Sequence, residues 1–300
     1  MSQEKTVERL GFVGLGVMGE PMCRNLAARS SHKVLGYDRA AEPLRRLAPD
    51  GVIAARSLAE LAGAADVVFL SLPGEPEVRE VCLAGDGLVA LARPGQVVVD
   101  CSTAPVALAR ELAAAFTARG AHFADAPVAR TRQAAIDGTL SIMVGTDAFL
   151  FHRIEPLLRC MASAVTHCGP PGAGQAVKLL NNMVLSITVV ALAEALAVAK
   201  ASGVVDPKVL FDALAQGSAD SFALRNHGMK SLLPEDHPPR AFPVSYMLKD
   251  VGYAIELARG AGLDLQAAGT ARRLLEETAA AGLADAYHTA LIEAVRRHRV

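Results

Sequence analysis

The chain has 300 residues, 52% of them apolar, and a formal net charge of −1 at neutral pH. That length suits two domains, and the balanced charge leaves no footprint for nucleic acid and no charged tail. The five cysteines (Cys23, Cys82, Cys101, Cys160 and Cys168) are odd in number and form no CxxC pair, which suits reduced thiols in a cytoplasmic protein better than a disulfide framework.

The start of the chain, through Arg9, is polar and charged, unlike a signal or transit peptide. Residues 10–13 read as a short strand running into Gly14-Leu15-Gly16-Val17-Met18-Gly19, a GxGxxG match, and residues 20–29 read as a helix. In that setting the first glycine permits the tight turn, the second admits a pyrophosphate to the backbone and the third lets helix and strand pack closely. The phosphates would sit on N–H groups at the positive end of the helix, so residues 14–19 are expected to bind a dinucleotide. Residues 33–38 read as the second strand. Asp38, 19 residues beyond Gly19, is placed to accept hydrogen bonds from the adenosine ribose. A carboxylate there repels a 2′-phosphate and favours NAD. Arg39, the next residue, suits a phosphate and keeps NADP as the alternative.

Residues 66–72 form a predicted strand that meets Pro73-Gly74, and residues 96–100 form another that runs into Cys101-Ser102-Thr103. A helix over 105–119 follows, with proline near its first turn, and then a strand over 121–125 ending at Ala126-Pro127-Val128. Nearly uniform apolar strands separated by helices predict a doubly wound, mostly parallel α/β sheet of the Rossmann kind. Ligands of such sheets bind beyond the carboxyl ends of the strands, which places Leu72, Pro73 and Thr103 beside the cofactor. The Ser102-Thr103 pair also suits an N-cap for the next helix. Asp125 is expected to hold the turn at its strand end, and Cys101 to pack rather than react. Strands over 139–145 and 164–168, around a helix over 147–160, complete a first domain spanning 1–169.

The second domain, 170–300, reads as helices only. After the breaker residues Gly169-Pro170-Pro171-Gly172 a single helix is predicted to about Ser202, roughly 45 Å long at about 1.5 Å per residue. Its apolar run over 183–199 is interrupted by Ser186, Thr188 and Glu194, and reads as a buried helix rather than a membrane span. Glu194 is expected to find a partner in the helical domain or across an oligomer contact. Helices are predicted over 206–215, opened by Asp206-Pro207, and over 221–233, 244–260, 269–281 and 285–298, with a proline-rich loop over 234–243. Lys178 and Asn182 are four apart and project from one helix face. Side by side, a cation and an amide can protonate and orient a carbonyl oxygen; the same pair also reads as two solvated polar groups near a helix start. The eight histidines show no HExxH or paired-ligand spacing, so no catalytic metal is expected.

Four separated motifs, GFVGLGVMGEPM at 11–22, DAPV at 125–128, GAGQAVKLLNN at 172–182 and Lys249-Asp250, resemble the β-hydroxyacid dehydrogenases over nearly the whole chain. The resemblance implies a Rossmann domain followed by an all-α domain, with an interdomain cleft crossed by the long helix. It implies a homodimer or homotetramer built on the helical domains, and a small anionic aldehyde or hydroxyacid as substrate, with no nucleic-acid or membrane partner. By position, Lys178 matches the catalytic lysine, Asn182 the amide that holds the substrate and Asn181 the asparagine before it. Lys249 and Phe242 match residues at the cofactor end of the cleft, and Thr103 one close to the nicotinamide. Hydride transfer to an aldehyde carbon builds charge on its oxygen, which a protonated Lys178 would stabilise and neutralise. In reverse a neutral Lys178 would take the alcohol proton, which calls for a pKa lowered by burial or by a like charge such as Lys249.

The chain departs from the family after DAPV. Where relatives carry Ser-Gly-Gly to hold the substrate carboxylate, this sequence has Ala129-Arg130-Thr131, followed by Arg132. A guanidinium binds carboxylate bidentately and also suits a sulfonate, and a similar Arg-Thr pair occurs in the sulfolactaldehyde-reductase branch. Alternatively Arg130 and Arg132 face solvent, and Thr131 with backbone N–H groups holds an ordinary carboxylate. Two further readings stand beside the semialdehyde reductase: an imine reductase, which generally carries another residue at the Lys178 position, and a non-catalytic NAD-binding sensor, which needs no proton donor.

Overall fold

The computed structural model describes residues 9–239 and 242–298. The polar start up to Glu8, and Arg240 and Ala241 of the expected proline-rich loop, lie outside the described residues. Two compact units divide in sequence between Lys178 and Leu179.

The first unit alternates strand and helix: β1 (Arg9–Val13), α1 (Gly19–Arg29), β2 (Lys33–Tyr37), α2 (Ala41–Leu47), β3 (Ile53–Ala54), α3 (Leu58–Ala64), β4 (Val67–Leu70), α4 (Glu75–Leu83), α5 (Leu88–Leu91), β5 (Val97–Asp100), α6 (Val106–Ala118), β6 (His122–Asp125), β7 (Val128–Ala129), α7 (Arg132–Asp137), β8 (Leu140–Gly145), α8 (Ala148–Leu158) and β9 (Ala162–Gly169). The sheet order is β3-β2-β1-β4-β5-β6-β8-β7, with β9 on β8. From β3 to β6 every pairing is parallel. The sheet then changes direction, since β8 runs antiparallel to both β6 and β7. The strand expected over 164–168 is longer, reaching Ala162 and Gly169, and β8 and β9 are parallel with register shifts. Alternate residues of the strands feed two cores. Leu10, Phe12, Val67, Phe69, Val97 and Val99 pack on one face, and Val13, Val68, Leu70 and Val98 on the other. Burial on both faces is why residues 10–13, 67–70 and 97–99 carry no polar side chain.

The second unit is helical: the α9 helix (Ala173–Ser202) continues into it, followed by α10 (Pro207–Leu214), a π-type winding over Leu224–Leu232, α11 (Val244–Gly260), α12 (Gln266–Thr278) and α13 (Ile292–Arg297). Asp206 caps α10 by accepting from the Lys208 and Val209 N–H groups. The helix expected over 269–281 starts earlier, at Gln266, and loosens into a π-type turn at Ala279–Leu283, where Gly282 takes a φ of 85°. The last helix expected over 285–298 begins as a 3₁₀ turn at His288–Leu291. Helix α9 supplies Val189, Leu192, Ala193 and Leu196 to the core of this unit. By length and composition it would also suit a membrane, but 44% of its most apolar window is buried. Glu194, for which a partner was expected, is exposed within the chain.

Behind Phe242 this core holds a cluster of imidazoles. His288 is fully buried and neither ring nitrogen has a hydrogen-bond partner among the described residues. Its ring meets Phe242 edge-on at 5.5 Å and His227 at 5.0 Å. His227 Nδ1 lies 2.7 Å from the Tyr287 hydroxyl. Burial, with Lys230 nearby, pushes His227 down to about 4, and burial beside His227 and His237 holds His288 well below the ordinary histidine range. The folded state therefore binds fewer protons than the unfolded state below about pH 6.5, so stability present at neutral pH is lost as the pH falls towards about 4. For His227 the loss is expected to be about 2 kcal/mol at pH 5. Urea midpoints measured from pH 7 to pH 5 should show it, and His288→Leu should flatten the slope.

Candidate active site

The parallel register brings the carboxyl ends of the first strands level. Val13 pairs with Tyr37 and Leu70, Leu70 with Asp100, and Asp100 with Asp125. The residues just beyond them form one edge: the Gly14–Gly19 turn, Asp38, Leu72 with Pro73, and Thr103. The turn is shaped for close backbone approach. Gly14 has a φ of 86°, and a Cβ there would stand 2.3 Å from the Ser71 carbonyl oxygen. A Cβ on Gly19 would stand 1.9 Å from the Gly14 carbonyl oxygen, whereas one on Gly16 would meet nothing within 4 Å. The two outer glycines are thus required by the fold, and the middle one leaves open the space a pyrophosphate needs. Leu15 and the exposed Val17, with Met18 before α1, complete the cradle.

Asp38 follows β2 and takes two backbone hydrogen bonds, from Leu15 N–H at 2.7 Å and from Ala40 N–H at 2.8 Å. This ties Asp38, the residue expected to meet the ribose, to the glycine turn. The exposed Arg39 pairs with Glu80, so the guanidinium beside Asp38 already has an anion. The residues present fit an NAD dinucleotide: a glycine cradle with an open centre and a fixed carboxylate at the end of β2.

Ser102 does not cap α6, whose N-cap is Pro105 without a side-chain bond. Its hydroxyl instead accepts from Leu72 N–H at 2.9 Å, and its own N–H donates to Asp100 Oδ1 at 2.9 Å. For Ser102 the capping expectation fails, because the serine faces the neighbouring strand end rather than the helix start. Thr103 stands partly exposed beside it.

Asp125 does more than hold a strand-end turn. Fully buried, it accepts from Gly172 N–H at 2.6 Å and from Gln175 N–H at 2.7 Å, gripping the first turn of α9. Burial pushes its carboxyl up to about 6, against the pull of those N–H groups and that of Gly174. The sequence carried no local signal for this contact, because the partners lie 47 and 50 residues away. One turn further along α9 is Lys178, 8% exposed.

In the second unit Asn182 is 2% exposed. Its Nδ2 donates to Asp250 Oδ2 at 2.6 Å, and its Oδ1 accepts from Asn181 Nδ2 at 3.0 Å. Lys249 Nζ lies 3.5 Å from Asp250 Oδ1 and 5.3 Å from the centre of the Tyr246 ring. Asp250 was thus read only as part of a motif, yet it links Asn182 to Lys249. Phe242 packs on His288, and its carbonyl accepts from His288 N–H at 3.0 Å.

The segment after DAPV takes an unexpected course. Arg130 has a φ of 87°, a left-handed conformation that favours glycine and matches the glycine of the family's Ser-Gly-Gly. Its guanidinium donates to the Thr139 carbonyl at 2.8 Å and to Ser163 Oγ at 3.2 Å. Thr139 precedes β8, about 20 Å along the strand from Gly145, which pairs with Asp125. The arginine is therefore directed away from the strand end that grips α9. Thr131 caps α7, its hydroxyl accepting from Ala134 N–H at 3.4 Å. Ala129 pairs with Ser141 in the sheet. The thiol of Cys101 is buried and pushed up by that burial, as befits a packing residue.

A glycine cradle, a fixed carboxylate at the end of β2 and aligned strand ends beside a helix bearing a buried lysine fit a dinucleotide-dependent oxidoreductase. Residues 9–169 match the NAD binding domain of 6-phosphogluconate dehydrogenase, and residues 172–295 match the NAD-binding domain of NADP-dependent 3-hydroxyisobutyrate dehydrogenase. The chain is 33% identical to 2-hydroxy-3-oxopropionate reductase of Escherichia coli K12, covering 96% of this chain and 97% of that one. It is 34% identical to 3-hydroxyisobutyrate dehydrogenase of Pseudomonas aeruginosa, covering 94% and 95%. The solved structure of 3-hydroxyisobutyrate dehydrogenase from Mycobacterium tuberculosis with L-serine superposes with a TM-score of 0.88 at 34% identity, over 97% of this chain and 100% of that one. The chain belongs to the β-hydroxyacid dehydrogenase family and is an NAD-dependent hydroxyacid dehydrogenase.

Proposed function

We propose that this protein interconverts a small carboxylate-bearing semialdehyde and its 3-hydroxyacid, of the 3-hydroxyisobutyrate or tartronate semialdehyde type, with Lys178 as proton donor and acceptor. The observation that carries this reading is the burial of Lys178, at 8% exposure, one turn beyond the Asp125-bound start of α9. A nicotinamide held there would supply the hydride for the carbonyl carbon; Lys178 Nζ gives the proton that completes the alcohol, so that RCHO, H⁻ and H⁺ give RCH₂OH. Lys178 stabilises the negative charge that develops on the oxygen. Asn182, oriented by Asp250, holds the substrate, and Lys249 and Phe242 serve cofactor binding, as the family resemblance implies. Residues 1–169 bind the dinucleotide, and residues 170–300 serve substrate binding and assembly into a homodimer or homotetramer. Exposed Val184 and Val198 on α9, at 57% and 66%, support such assembly. The protein is assigned to the cytoplasm.

The substrate anion is held by the segment Ala129-Arg130-Thr131, through backbone and the Thr131 hydroxyl, because the Arg130 guanidinium is engaged by Thr139 and Ser163. This favours a carboxylate over a sulfonate. The test is NADH oxidation with a panel of semialdehydes bearing carboxylate, sulfonate and phosphonate ends, with cyclic imines alongside. Turnover confined to imines, or none at all with a bound cofactor, would sink the reading. In the same panel Arg130→Ala is expected to leave KM for the carboxylate substrate within about threefold of wild type, the range of an exposed substitution. A rise well beyond that would return Arg130 to the pocket.

A further inference from the structure

We propose that Gln175 is a positioning residue that sets Lys178 against the strand-end segment carrying Thr103. The inference rests on the role given to Lys178 above. Gln175 is fully buried. Its side-chain Oε1 accepts from Ala104 N–H at 3.1 Å, and its Nε2 donates to the Ser102 carbonyl at 2.8 Å. One primary amide thus bridges the two peptide groups that flank Thr103. The main-chain N–H of the same residue donates to Asp125 Oδ2 at 2.7 Å. Gln175 is therefore fastened at the end of β6 by its backbone and to the segment beyond β5 by its side chain.

That segment is itself fixed. Ser102 N–H reaches Asp100, and Ser102 Oγ holds Leu72 N–H, so the residues following β4 and β5 are linked through it. Lys178 follows Gln175 by three residues on the same helix and the same face. Within a helix the rotation from one to the other is set by the backbone, so fixing Gln175 fixes the direction of the lysine stem. The bridge needs one acceptor and one donor at fixed separation, which a primary amide supplies and a carboxylate does not. Glutamate would bring an oxygen against the Ser102 carbonyl, and methionine would leave both peptide groups without the bond.

The plainer account is that Gln175 only satisfies two buried peptide groups. The two accounts separate in single-turnover oxidation of enzyme-bound NADH by the semialdehyde that wild type uses best, with Gln175→Glu and Gln175→Met. A positioning role predicts that the rate falls about 10²-fold, as expected for a misplaced reacting group, while the amplitude per folded site and the NADH affinity read by fluorescence stay near wild type. Hydrogen exchange in the cofactor-free protein should also quicken at the Ala104 amide in Gln175→Met. The inference is overturned if the amplitude falls with the folded fraction while the rate is unchanged, or if exchange at Ala104 is unaltered. Lys178→Ala is run alongside. If it turns over like wild type, the lysine assignment fails first; if it is inactive while Gln175→Glu keeps the wild-type rate, only the role of Gln175 falls.

Discussion

Lys178→Ala is expected to lower kcat by about 10²- to 10⁴-fold, the usual contribution of a positioned proton donor. The expectation rests on placement. The lysine stem is buried, and the helix turn before it is held by Asp125 and Gln175. In the role proposed for it, removing the ammonium deletes the proton source and the charge that would face the developing alkoxide, interactions that strengthen on the way to the transition state. The loss should therefore appear in kcat and kcat/KM together, with NADH affinity little changed. Lys178→Arg keeps the charge but carries a larger, essentially undeprotonatable group, and should fail most severely in the alcohol-oxidising direction. A variant that loses affinity for NADH in proportion to its rate would show the lysine to be a cofactor ligand instead.

Asp125→Ala is expected to destabilise the first unit by about 2–4 kcal/mol, because the N–H groups of Gly172 and Gln175 lose a buried acceptor. Urea unfolding read by hydrogen exchange along α9 checks the size and place of the loss. The pH dependence carries a separate signature. The carboxyl is raised by burial from 3.8 to about 6, so the folded state holds more protons than the unfolded state between those values. This group's contribution to stability therefore improves as the pH falls through 6 towards 3.8, by about 3 kcal/mol at most. Asp125→Asn should abolish that gain. The buried histidines of the second unit titrate in the opposite sense, so acid should move the stabilities of the two units apart. Calorimetry at pH 5 and pH 8 would register the divergence, and identical shifts in both units would contradict it.

The parts of the fold legible in the sequence are those encoded locally. The glycine turn is marked by three fixed positions after an apolar strand, and β4 and β5 by the apolar runs at 67–70 and 97–99 between helices. The two-residue strands β3 and β7 carried no periodicity, and Ile53 and Ala54 are both exposed, so neither hydropathy nor length separated them from loops. The antiparallel entry of β8 depends on pairings that no local pattern records. At the candidate site, the shared helix face of Lys178 and Asn182 was readable from their spacing. Asp125 was readable as a structural acid at a strand end, but its grip on a helix start is a long-range contact. Gln175 could have been marked as sharing a face with Lys178; its partners could not. At Arg130 the residue type suggested an anion ligand. The left-handed backbone and the nearby Thr139 and Ser163 turn the side chain elsewhere, and conformation of that sort is invisible in composition.

The first turns of α9 carry an evolutionary consequence. Asp125 reads residues 172 and 175, Gln175 reads the segment at 102–104, Lys178 follows three residues later and Asn182 four after that. An inserted or deleted residue in 173–177 would rotate everything beyond it by about 100° and carry both the lysine and the asparagine off the face set by Gln175; one in 179–181 would carry off the asparagine alone. The exposed turn residues 85–86 bear no such phase relation and can change length more freely. Drift in chain length should therefore collect in the turns and leave this stretch gapless, even in descendants whose substrates have changed.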